Sequence, residues 1–373
     1  MRVLFFNHEQ YVPFEYEAAN VEVRLPILGS GMVTAYRDFV YQRVLRTKGH
    51  THMNMAAMQE IDDFQPDVIV HFTTWIPERL NPRVLSYAKA KGIKVISVIF
   101  DSANELFAQE VALVHASTHL AVLVSPSDYM RYQALSQAIG QPHNTLFLIG
   151  NNVRQDFFQE NPSVEKDLDV VMLGSLHGIR GVFLDYLNER LNPQGITVHK
   201  MGGNIDDSKG GAVVGATDTW LSFQDYLDTI QRAKICLNAQ TVAHPLIKAG
   251  QDMDKLFTVT VKGKVFEFLS ANAFCLTDDN SEARAMIPDG CVAYYDNFDD
   301  CIEKIKYYLA HTEERDAIRH AGCAWFRSSF DCYGYWKTAL EAIVSGQPVP
   351  VPTHLADRLA PVLAGQAPVP LPV

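Results

Sequence analysis

The sequence predicts an α/β protein made of two consecutive parallel-sheet domains. Three observations carry that expectation. Short apolar runs alternate with helix-length segments from the first residues onward, the pattern of β-α-β units. The alternation restarts after the polar stretch Gln159-Glu-Asn-Pro-Ser163. The chain, at 373 residues, also exceeds the roughly 250–300 at which a single hydrophobic core stops growing. The organisation read from this is one domain over 1–158, a second over 165–340, and a tail from 345 to 373.

In the first half, the runs 3–6, 68–72, 95–100, 121–124 and 145–149 are short and evenly apolar, and read as buried strands. The segments 33–48, 81–91 and 127–139 read as helices between them. The last opens on Ser127-Asp128 and stops at Gly140, with Pro142 just beyond. In the second half, strands are expected at 169–173, 197–201, 235–238 and 274–277. Helices are expected at 183–191, 223–233, 265–271, 299–311 and 313–328. The Gly/Asp-rich stretch 202–215 reads as a surface loop. The tail carries Pro-Val-Pro-Val-Pro352 and Pro368-Val-Pro-Leu-Pro372, which favour extended backbone and exclude a helix there.

Composition narrows the function classes. With 47% hydrophobic and 20% charged residues, both halves can bury ordinary cores, and global disorder is excluded. Lys plus Arg number 32 against 43 Asp plus Glu, a net charge of −11, so tight non-specific nucleic-acid binding is not expected. No apolar run approaches the roughly 18–20 residues that span a bilayer, which leaves only peripheral membrane contact open. The apolar start Met1–Phe6 is too short for a signal-peptide core. All six cysteines (Cys236, Cys275, Cys291, Cys301, Cys323, Cys332) lie in the second half without a C-x-x-C pair, as expected of a reduced cytoplasmic protein. His50/His52 and His115/His119 have suggestive spacings but lack a third ligand, so no metal site is expected.

Three places hold residues suited to binding an anion or a hydroxyl-rich ligand. Lys262, Gly263 and Lys264 precede a helix opening around Val265, and cations with free N–H groups at a helix start attract anions. Glu267 is expected in that helix's first turn, where a carboxylate accepts from a ribose diol. A solvated basic turn with a helix-stabilising Glu fits the same residues. Asp101 follows the strand 95–100, at the carboxyl edge where open α/β sheets place ligands; helix capping is the competing reading. His244 follows the strand ending at Asn238, and both are read as facing the ligand cleft.

The segment Lys264-Val-Phe-Glu267-Phe-Leu-Ser-Ala-Asn-Ala-Phe-Cys-Leu-Thr277-Asp278 resembles the Arg-x-Phe-Glu-x-x-Ala-x-Gly-x-x-x-Leu-Thr-Asp run of group 1 glycosyltransferases, and more closely the CgeB-like branch. The likeness continues through Glu282, Ile287–Gly290, Ala293-Tyr-Tyr-Asp296 and Ile302–Glu314. It implies a GT-B fold, two Rossmann-like domains with parallel sheets facing across a cleft. It further implies a hexosyltransferase that uses a nucleotide-diphosphate sugar, retains anomeric configuration and requires no metal or other cofactor.

Gly174 and Ser175, after strand 169–173, together with Arg180, then resemble the phosphate-contacting turn of the donor domain. Gly31, in Leu28-Gly-Ser-Gly31, resembles the glycine-rich loop that approaches from the other domain. Lys264, Arg180 and Asp101 would carry the catalysis. Three positions depart from the family pattern: Lys264 replaces Arg, Asn272 stands where Gly is common, and Val259 where a second Glu is frequent. A nucleotide-sugar epimerase or hydrolase on the same fold, or a non-catalytic nucleotide-sugar-binding protein, fits the same features. The acceptor would be a glycan, lipid, protein or small metabolite.

Overall fold

Two parallel sheets, one in each half, carry the chain in the computed structural model. It describes residues 1–7, 31–73, 82–99, 118–124, 126–138, 145–147, 158, 161, 163–174, 179–201, 204–206, 212–214, 223–239, 261 and 263–347.

The first sheet contains β1 (Arg2–Asn7), β2 (Ala35–Val40), β3 (Val68–Thr73), β4 (Lys94–Ile99), β5 (Leu120–Leu123) and β6 (Thr145–Phe147). Its order is β2-β1-β3-β4-β5-β6, with every pair parallel. Helices α1 (Tyr41–Phe64), α2 (Pro82–Ala90) and α3 (Pro126–Ala138) connect the strands. Leu4, Phe6, Ile69 and Val95 point to one face and pack on Met53, Ile61, Val84 and Leu85 of α1 and α2. Val3, Phe5, Val70 and Val98 point to the other. Burial on both faces explains why these strands read as continuous apolar runs.

Residues 33–48, expected as one helix, instead contain edge strand β2 followed by the start of α1. The reason lies in aromatic contacts between strands: Tyr36 sits 6.5 Å from the Phe5 ring, and Phe39 meets Phe6 edge-on at 5.5 Å. These cross-strand pairs outweigh a helical reading. Helix α1 runs on to Phe64, broken at Gly49, whose φ is +79°.

The second sheet contains β7 (Leu168–Leu173), β8 (Val198–Met201), β11 (Ala233–Asn238), β12 (Cys275–Asp278) and β13 (Ala293–Tyr295), in the order β13-β12-β11-β7-β8. All four pairings are parallel. Its helices are α4 (Ile179–Leu191), α5 (Phe223–Arg232), α6 (Gly263–Ser270), α7 (Ser281–Met286), α8 (Phe298–Ala310), α9 (Thr312–Ser329) and α10 (Cys332–Ser345). Within 202–215, expected as a loop, β9 (Asn204–Asp206) and β10 (Ala212–Val214) form a small antiparallel pair. Strand β13 and helices α7 and α10 were not foreseen in the sequence. Among the described residues, no helix is long and apolar enough to cross a membrane.

Numbered within its own sheet, the second runs second-first-third-fourth-fifth and the first runs in the same order with a sixth strand added, so the second half repeats the topology of the first. In that order the chain leaves the first strand to one side and returns on the other, opening a crevice between the carboxyl ends of the first and third strands. In the second half those ends are Leu173 of β7 and Asn238 of β11.

Candidate active site

Helix α6 reaches that crevice. Six of its eight residues are buried, which leaves Lys264 and Glu267 as its two partly exposed side chains. Three residues apart on a helix, they share one face. The helix opens at Gly263, two residues before the expected start, so Glu267 lies beyond the first turn. The helix-dipole contribution expected for it therefore fades. What holds Glu267 is a side chain: the Tyr226 hydroxyl of α5 donates to its Oε2.

Gly174 ends β7 with φ +107°, in the region that favours glycine, and its N–H donates to the Met201 carbonyl at 2.8 Å. The Lys264 side chain covers its Cα so closely that a Cβ there would overlap Nζ and lie 3.2 Å from Cε. Sequence positions ninety residues apart thus meet, the ammonium resting on the turn after the first strand.

Arg180, second residue of α4, donates from Nη2 to the Ala239 carbonyl at 3.0 Å, tying that helix start to the end of β11. Asn238 is buried and its groups are engaged: Nδ2 donates to Thr277 Oγ1 at 3.0 Å, and its carbonyl accepts from the Tyr295 hydroxyl at 3.2 Å. Asn238 therefore clamps β11, β12 and β13 at the crevice rim. Burial, aided by the nearby Asp278 charge, holds the Tyr295 phenol well above its ordinary range, keeping it a neutral hydrogen-bond donor.

The turn after α6 is made by Asn272, in the left-handed region at φ +54°. The Ala273 N–H donates to the Phe268 carbonyl at 2.9 Å, and the Asn272 N–H to Leu269 at 3.1 Å. The tight turn that the departure from Gly put in question is thus kept, because Asn is the side chain that best tolerates this conformation. Behind it, Arg327 of α9 donates to the carbonyls of both Ser270 and Phe158 at 3.4 Å, anchoring α6 to residue 158.

Two further expected site residues are among those described. Gly31 precedes Thr34, whose N–H donates to the Met1 carbonyl at 2.8 Å, so this loop meets the amino edge of the first sheet. It leads into a strand rather than a helix, at the end of the sheet opposite the carboxyl crevice. Glu282 is buried in the first turn of α7, where the Asn280 side chain caps the helix by accepting from the Ala283 N–H at 2.8 Å. Asp101, Ser175, His244 and Lys262, like Val259, His115 and the tail from 348, lie outside the described residues. His119 accepts from the Val95 N–H through Nδ1 at 3.0 Å, a structural role in the first sheet. Tyr226 was missed in the sequence, since nothing local marks a tyrosine 41 residues from its partner.

Comparison with solved structures places this arrangement. The crystal structure of Anabaena Alr3699/HepE with UDP and glucose aligns at a TM-score of 0.62 and 12% identity, over 92% of this chain and all of that one. T4 phage BGT with UDP-glucose aligns at 0.51 and 14% identity, over 92% of this chain and 99% of that one. The N-terminal domain of Candida albicans trehalose-6-phosphate phosphatase aligns at 0.60 and 11% identity, over 92% and 96%. No curated protein matches the chain. The chain has the GT-B fold, and its residues 180–341, which hold Arg180, Lys264 and Glu267, match the model of a family described as glycosyl transferase-like.

Proposed function

We propose that this protein is a glycosyltransferase of the hexosyl type, moving a sugar from a nucleotide-diphosphate sugar to a hydroxyl acceptor. The observation that carries the reading is the Lys264 ammonium seated on Gly174 with Glu267 on the same helix face, at the crevice of the second sheet. The family match over 180–341 and the UDP-sugar complexes among the similar structures support it. In this reading residues 165–340 hold the nucleotide sugar and residues 1–158 the acceptor.

The chemistry follows from charge. As the bond from the anomeric carbon to the diphosphate oxygen breaks, negative charge grows on the leaving phosphate. Fixed cations and oriented N–H groups stabilise it. Lys264 and Arg180 supply those cations, the sequence resemblance adds Ser175 and the run before the helix adds Lys262, and Glu267 accepts from the ribose hydroxyls. With protein cations in that role, turnover in EDTA is the expected behaviour. The acceptor oxygen bonds to the anomeric carbon, and its proton leaves with the departing phosphate in a retaining reaction. In an inverting one a separate base takes the proton, and Asp101 is the candidate.

The test is calorimetric titration of UDP, ADP and GDP, followed by transfer assays from the matching nucleotide sugars to a panel of hydroxyl acceptors. Diphosphate binding with acceptor-dependent turnover is expected. Turnover that acceptors do not raise would favour an epimerase or hydrolase, and binding with no turnover a non-catalytic nucleotide-sugar-binding protein. Absence of diphosphate binding would overturn the reading.

A further inference from the structure

Tyr226 lies in the first turn of α5, the helix that leads into β11. In a β-α-β unit the connecting helix starts on the carboxyl side of the sheet, so Tyr226 and the first half of α6 meet near the crevice. Tyr226 is 7% exposed and belongs to the core that also contains Ile230, Val265 and Phe268. That packing fixes the ring, and its hydroxyl donates to one carboxylate oxygen of Glu267. The Glu267 backbone is fixed as well: its carbonyl accepts from Ser270 Oγ at 2.8 Å and from the Ala271 N–H at 3.0 Å.

We infer that Tyr226 is a positioning residue that sets the sugar selectivity of the nucleotide site, by holding Glu267 with one oxygen engaged and the other presented to the ribose. The inference rests on the reading of Glu267 as the ribose-contacting group. An ionised carboxylate offers only acceptors. With Oε2 partly taken by the phenol, a ribose hydroxyl meets an oxygen whose direction is already fixed. Pre-orientation of this kind saves the ordering cost of a flexible Glu side chain on binding. Without the phenol, the carboxylate turns among rotamers, and discrimination between a ribonucleotide and its deoxy counterpart falls.

The experiment measures Kd for UDP, ADP and GDP and for their 2′-deoxy and 3′-deoxy forms, against the parent protein, Tyr226→Phe and Glu267→Gln. Thermal melting of each variant accompanies the titrations. Tyr226→Phe should weaken binding of the preferred ribonucleotide by about two- to ten-fold, the cost of ordering one flexible side chain on binding. At least one deoxy form should be nearly unaffected. Equal loss for ribo and deoxy forms would mean that Tyr226 supports the fold only, and would overturn the inference. So would unchanged selectivity in Tyr226→Phe when Glu267→Gln has lost it, an outcome that leaves the proposed function standing. Unchanged selectivity in Glu267→Gln would instead remove the reading on which the inference rests.

Discussion

The Lys264 side chain lies across Gly174 so tightly that the smallest side chain at position 174 would overlap the ammonium nitrogen. This contact joins the turn after the first strand of the second sheet to the start of α6. It makes the two positions one unit: glycine is needed both for its φ of +107° and for the space the lysine occupies.

Gly174→Ala should therefore act through Lys264. Displacing the ammonium should weaken nucleotide-diphosphate binding by about 1–3 kcal/mol, the range for a charge-assisted hydrogen bond. Lys264→Met, which keeps the stem and removes the charge, should show a similar loss with the melting temperature almost unchanged. In the double variant the two losses should not add, because they remove the same contact. Calorimetry on the three variants checks this, and full additivity would separate the residues.

Asn272 gives a test of the turn that ends α6. Asn272→Gly should hold or slightly raise stability, since glycine adopts the left-handed region without strain. Asn272→Val should cost about 1–2 kcal/mol, the penalty for a side chain that resists this conformation. Denaturant midpoints of the two variants should move in opposite senses or differ by that amount.

Gly322 of α9 allows the close approach that fixes α6 from behind. A Cβ there would overlap the Cys291 carbonyl oxygen and sit 2.6 Å from Leu269 Cδ2. Gly322→Ala should lower stability by about 1–3 kcal/mol through overpacking. Nucleotide affinity at a temperature where the variant remains folded should fall less than in Gly174→Ala. Chemical denaturation and calorimetry together distinguish the two effects.

All six cysteines are buried thiols. Burial pushes the Cys236 thiol up to about 12 and raises Cys275 well above its ordinary range. A folded-state pKa above the unfolded one means that folding favours the protonated thiol. That stability is present in full below the unfolded value near pH 9 and is lost as pH rises toward 12. The melting temperature should accordingly show no thiol contribution to its pH dependence below about pH 8, and should fall above about pH 9. At pH 8 a thiol-reactive reagent should label none of the six in the native protein and all of them in denaturant. Rapid native labelling would contradict the burial.

Much of this molecule was legible in the chain. The buried strands of both sheets are short apolar runs, because parallel strands covered on both faces leave no polar alternation to obscure them. Lys264 and Glu267 stood out because their residue types suit anions and hydroxyls near the start of a helix, and Gly174 through the family resemblance of its turn. The edge strand β2 was hidden, since Ala35-Tyr-Arg-Asp-Phe-Val40 has no two-residue alternation and its aromatic residues find their partners only beside Phe5 and Phe6. Helix α10 was hidden as well, with the fully buried Trp336 at its centre.

By itself, the sequence determined most of the buried strands and the helices between them, with the residue types at their ends, because both follow from local periodicity and local backbone chemistry. Only the tertiary structure decided which of those ends meet. Strand order brings β7 beside β11, and that places Gly174 under Lys264 and the start of α4 against Ala239. In the first sheet, the parallel pairing of β2 with β1 puts Gly31 at the amino end of the strands. Tyr226 reaches Glu267 only once two helices have packed on one sheet, and a contact between positions 41 residues apart leaves no periodic trace in the chain.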